Sequence, residues 1–131
     1  MPKMLMIAAA VVLGMHGLIH LMGTVAYCRL GEIEGLPYRT TLLGGRLDVG
    51  DGRMTVVGVL WGLTAAAFVV AAVGWLAGWG GWTAVLVPAT LVSLVLTSLD
   101  WSTAFRGTVV DVAILALVWL GPRLAPSLAT G

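Results

Sequence analysis

The amino-acid sequence predicts an all-α fold, an integral membrane four-helix antiparallel bundle that occupies residues 1–131 as one domain. Three observations lead there. Of the 131 residues 60% are hydrophobic and 10% are charged, against roughly 25% charged in soluble domains. Four apolar segments, about 4–27, 54–76, 82–99 and 103–120, approach or reach the ~20 helical residues that cross a bilayer core about 30 Å thick. Eight charged residues, Arg29, Glu32, Glu34, Arg39, Arg46, Asp48, Asp51 and Arg53, crowd into the one long connection, 28–53, and leave the rest of the chain nearly uncharged. Lipid offers backbone amides no water, so spans must be helices or closed barrels, and long segments rich in Leu, Ala, Val and Met are helices.

The first span follows Lys3, as the apolar stretch of a signal peptide would. His16 and His20 interrupt it, and Tyr27 stands where a small residue should precede cleavage, so it reads as a retained helix. In the connection, Thr40-Thr41-Leu42-Leu43 and Arg46-Leu47-Asp48-Val49 flank Gly44-Gly45, which predicts a short hairpin ordered over the mouth of the bundle. Gly50-Asp51-Gly52 reads as a turn. The second span opens with Gly58-Val59-Leu60-Trp61-Gly62, a spacing whose ordinary meaning is close helix packing, within the bundle or between protomers. A Gly/Trp turn at 77–81 leads into the third span, which contains Pro88, and Asp100-Trp101-Ser102 leads into the fourth. Gly121-Pro122 should end that helix, and Pro126 should discourage its resumption.

An antiparallel bundle places the first and third connections on one side. That side holds Arg29, Arg39, Arg46, Arg53 and Arg106; the other holds Lys3 and Arg123, so the positive-inside rule puts loop 28–53 in the cytoplasm and the termini outside. Trp75, Trp79, Trp82 and Trp119 form a belt at the terminus side, with Tyr27 and Trp101 at the opposite interface. A formal net charge of +1 gives no footprint for nucleic acid. Cys28, the single cysteine, forms no intrachain disulfide and reads as inert.

His16 and His20 are four apart and share a helix face, as do Thr90, Ser93, Thr97 and Asp100 on the third helix. Asp111 lies inside the fourth apolar segment, where an ionisable group is costly and turns toward the bundle interior or a wet cavity. Counted at about 1.5 Å per residue from the loop side, His20 and Asp111 fall at one depth, roughly 10–12 Å. This predicts a polar cavity opening toward the loop, with His20, Asp111, His16 and Arg106 as catalytic candidates. Ser93, Thr97, Asp100, Tyr27 and Trp101 are the candidate substrate-binding residues.

The expected chemistry is acid–base: Asp111 orients His20, His20 moves a proton to or from a lipophilic small molecule, and Arg106 steadies an anion. Three other readings stay open. The same residues could hold helices together in a non-catalytic membrane subunit, or relay protons in a transporter, for which four short helices would need a homodimer or larger membrane complex. His16 and His20 could bind a metal or haem, although no zincin signature accompanies them, so no cofactor is predicted. Whether the chain is an enzyme is left open.

Three segments, His16 to Gly23, Thr40 to Asp48 and Asp100-Trp101 through Gly107 to Asp111, resemble a group of small bacterial four-helix membrane proteins of DoxX-like size, often labelled hypothetical or permease-like. The resemblance implies a multi-pass protein of the bacterial inner (plasma) membrane with this topology. It implies no activity that transfers to individual residues.

Overall fold

The computed structural model describes residues 2–129, with side chains described as far as residue 123. The chain runs α1 (Lys3–Tyr27), β1 (Thr41–Leu42), β2 (Leu47–Asp48), α2 (Gly50–Leu76), α3 (Trp82–Leu99) and α4 (Trp101–Ala129). All four helices are long and apolar enough to cross a membrane. Extensive packing joins consecutive helices, α1 to α2, α2 to α3 and α3 to α4.

Small residues allow α1 and α2 to approach closely. A Cβ on Gly17 would lie 2.7 Å from Phe68 Cβ, and one on Gly23 would lie 2.6 Å from the Trp61 ring. Gly58 and Gly62 sit against Tyr27, Cys28 and Thr24, so the glycine pair of α2 packs within the bundle. Two apolar clusters result. Leu13, Phe68, Ala71, Ala72, Leu86 and Ala89 form one, and Ala26, Tyr27, Leu42, Met54, Trp61 and Leu96 form the other.

The hairpin forms as the sequence indicates, antiparallel with Thr41 opposite Asp48 and Leu42 opposite Leu47. Leu43, Gly44 and Gly45 all take positive φ, which is why glycines occupy two of the three turn positions. The Leu43 amide donates to the Leu99 carbonyl at 2.9 Å, and buried Leu42 joins the second cluster, so the hairpin is seated on the end of α3.

A clamp fixes the same end. The Arg39 guanidinium and the Tyr27 hydroxyl both donate to the Asp100 carboxylate, and Arg39 also reaches Thr103 Oγ1 at 3.3 Å. It joins the last residue of α1, the loop and the α3–α4 corner. At the loop's exposed edge Tyr38 donates to Asp51, a bond that holds the Tyr38 phenol above its ordinary pKa.

Four expectations are corrected. Helix α2 begins at Gly50, with Asp48 Oδ1 accepting from the Gly50 amide at 3.0 Å, so Gly50-Asp51-Gly52 is its first turn. Helix α4 begins at Trp101 and continues past Gly121-Pro122 and Pro126 to Ala129. The fixed φ of proline is itself helical, and each ring removes only one amide donor. Tyr27 is fully buried within the clamp, because its hydroxyl finds Asp100.

Replacing Gly17 by Ala should cost about 1–3 kcal/mol through overpacking against Phe68 and the Ala65 carbonyl. Gly14→Ala on the same helix meets nothing within 4 Å and should stabilise by about 0.5–1 kcal/mol. Paired melting curves in detergent check the contrast. Arg39→Ala should cost about 2–4 kcal/mol by stranding the buried Asp100 carboxylate, and Arg39→Met with Asp100→Leu should recover part of the loss.

Candidate functional site

Between the two apolar clusters lies a polar layer drawn from all four helices: His16, His20, Thr64, Thr90, Ser93, Thr97 and Asp111, each buried. Buried away from solvent, such groups must satisfy one another. His16 Nε2 bonds Asp111 Oδ1 at 2.8 Å, and Ser93 Oγ bonds Asp111 Oδ2 at 2.6 Å. His20 Nε2 bonds Ser93 Oγ at 2.6 Å, and His20 Nδ1 donates to the His16 carbonyl at 2.7 Å. The circuit ties α1, α3 and α4 together. Thr108 donates to Thr97 Oγ1 at 2.8 Å beside it, and Thr97 donates to the Ser93 carbonyl at 2.9 Å.

The expected His20–Asp111 pairing is therefore corrected: Asp111 meets His16, and His20 reaches it only through Ser93. The depth count explains the change. Because α4 starts at Trp101, Asp111 lies ten residues in, and His16 lies eleven residues from Tyr27, so both are about 15–17 Å deep.

Proton bookkeeping constrains the circuit further. A carbonyl can only accept, so His20 Nδ1 carries hydrogen, and Ser93 has a single hydrogen to give. Every contact can be a hydrogen bond with no net charge in two ways only. In one, His20 is cationic, donates to Ser93, and Ser93 donates to an ionised Asp111. In the other, a protonated Asp111 donates to Ser93, and Ser93 donates to a neutral His20. The two interconvert by two proton hops across Ser93. In both, His16 carries its hydrogen on Nε2 and a bare lone pair on Nδ1.

That nitrogen stands apart. His16 Nδ1 makes no hydrogen bond among the described residues, yet it is not sealed away, since the one buried side-chain polar atom lacking a partner among them is Trp61 Nε1. The His16 ring is held edge-on to Phe68 and His20, with ring centroids 5.0 and 4.8 Å away.

His16 lines a cleft of about 460 Å³ between α1 and α4. Ile19, Met22 and Gly23 form one wall, and Ala104, Gly107 and Val110 form the other. Trp61 and Thr97 close it from behind, and Glu34, Gly35 and Leu36 of the loop border it. Ile19 and Met22, on the α1 wall of the cleft, are themselves exposed.

The remaining candidates divide. Arg106 lines the cleft but does not touch the circuit; it stacks on Phe105, its guanidinium carbon 5.6 Å from the ring centroid, and has no acidic partner among the described residues. Thr97 and Asp100 line the cleft, although Asp100 is already engaged by Arg39 and Tyr27. Ser93 is fully buried in the circuit, Tyr27 lies in the clamp, and exposed Trp101 packs beside Phe105, 6.0 Å between centroids. Sequence reasoning did not single out Arg39 or the lining residue Trp61. The one available signal for Arg39 was that a carboxylate ending α3 needs a cation. No group of three or more His, Cys, Asp and Glu side chains is arranged to hold a metal ion among the described residues.

Comparison with protein-family models, curated proteins and solved structures finds no match for this chain.

Asp111→Asn can keep every bond of the circuit, its oxygen accepting from His16 and its amide donating to Ser93, so Tm should change little. Asp111→Leu leaves the His16 and Ser93 donors stranded and should cost about 2–5 kcal/mol. Thermal unfolding of the two variants in one detergent tests the bond assignment.

Proposed function

We propose that the protein binds, and carries out acid–base chemistry on, a lipophilic small molecule that enters the cleft between α1 and α4. The observation carrying this reading is that the one unengaged imidazole nitrogen of the circuit, His16 Nδ1, belongs to a residue on the cleft wall. Asp111 behind it does what a carboxylate does for a general base. It holds the ring in one tautomer and stabilises the imidazolium formed when Nδ1 takes a proton. The proton leaves the ligand, the electron pair stays on the ligand, and Arg106 at the cleft border is the cation nearest in kind to the resulting anion. Return of the proton from Nδ1 completes the exchange. His20 and Ser93 act as positioning residues, because a shift of protons across Ser93 sets whether Asp111 is ionised.

A second reading, a non-catalytic membrane subunit held together by these residues, is favoured by one fact: Asp111 is the only buried residue of α4 among positions 101–123. The two readings part at Asp111→Asn, which keeps the bonds but loses the charge. Native mass spectrometry of the purified protein should show a bound lipophilic molecule whose occupancy falls in His16→Phe, while Asp111→Asn retains it with impaired proton exchange. Wild type and His16→Phe with identical spectra and no bound molecule would leave only the structural role.

The proposed setting is the bacterial inner membrane, crossed four times, with loop 28–53 in the cytoplasm. The five-to-two distribution of basic residues supports it. A cysteine introduced at Gly44 should resist a membrane-impermeant thiol reagent in intact cells and react after permeabilisation; labelling in intact cells would reverse the orientation.

A further inference from the structure

Resting on the reading of the cleft as a ligand site, we infer that its ligand presents a hydroxyl group to His16 Nδ1, so that the protein selects lipophilic O–H donors over equally apolar ethers. Both net-neutral proton arrangements of the His16–Asp111–Ser93–His20 circuit leave Nδ1 as a bare acceptor, and no described side chain supplies it with a donor. A net charge on this circuit would be costly at about 15 Å inside an apolar span, which favours the neutral arrangements. Trp61 lines the same cleft, but its Nε1 is sealed from solvent and offers a ligand no hydrogen. A hydroxyl supplies the hydrogen that His16 Nδ1 lacks. An ether, a ketone or an apolar chain has none to give.

The rest of the lining suits a molecule that reaches the site through lipid. Ile19, Met22, Leu36, Ala104 and Val110 offer apolar contact along the walls, and Ile19 and Met22 continue it onto the exposed surface of α1. Glu34 adds an acid to the lining that holds Arg106, so the lining has no strong bias toward an already ionised ligand. Selection rests on the hydrogen bond instead of on charge.

The full chain in detergent micelles tests this with a pair of probes, a 4-alkylphenol and its methyl ether, titrated by intrinsic tryptophan fluorescence. The phenol should bind about three- to tenfold more tightly, the effect of one neutral hydrogen bond. His16→Phe, whose ring fits the edge-on site beside Phe68, should equalise the two by weakening the phenol. Equal affinities in the wild type, or a preference that survives His16→Phe, overturn the inference and leave the cleft reading standing; failure of both probes to bind removes both. Nitrogen-15 NMR of the wild-type histidines keeps the test independent of how the variant folds. His16 should show a bare Nδ1 whose resonance moves with the phenol and not with the ether. A protonated Nδ1 in the free protein overturns the inference.

Discussion

A carboxylate with no route to bulk water governs how this bundle is assembled. Asp111 is completely buried within an apolar helix, and its oxygens must be met by donors from other helices. His16 and Ser93 supply them, which fixes the rotation of α1 and α3 about their axes as well as their depth. Once those two helices are set, His20 follows from its place one turn from His16, its ring held between Ser93 and the aromatic faces of Trp61 and Phe68. Apolar packing explains the adhesion of α1 to α2 and α2 to α3. The Asp111 bonds add to the packing of half-buried Ala104, Ile114 and Val118 in giving α4 one orientation.

The same circuit explains how a cleft can exist in so small a bundle. Close α1–α2 packing over Gly17, Gly23, Gly58 and Gly62 leaves no room for a ligand there. Helices α1 and α4 instead meet through a long polar side chain pair, and side chains that reach across a gap hold backbones apart. The cleft is the space that remains on the loop side of that bridge. Cleft and structural bond are thus one arrangement viewed from two sides.

Much of the architecture was legible in the sequence because single physical rules decide it. Span positions follow from runs without charge, and the hairpin follows from Gly44-Gly45 between two short apolar-polar segments. Most of the polar layer was legible too, since Asp111 in a span demands partners and His16, His20 and Ser93 were candidates, whereas Thr64 on α2 bonds only its own helix and gave no signal. Their pairing was not, because it depends on where α4 begins: two residues at its start move Asp111 by about 3 Å and exchange one histidine for the other. The end of α4 escaped for a related reason, proline being a poor helix residue whose backbone angle is nonetheless helical. Arg39 was hidden among the basic residues of one loop, where nothing in their spacing distinguishes the one that reaches Asp100.

That clamp has a consequence for the order of assembly. Arg39 follows the first span, while Asp100 follows the third, 61 residues later. As the chain emerges in sequence, the loop stays untied while α2 and α3 are made, and Tyr27 has no carboxylate to receive its hydrogen. Only when the end of α3 is present can the first loop close over the bundle. The ion pair thus makes the seating of an early segment conditional on a late one.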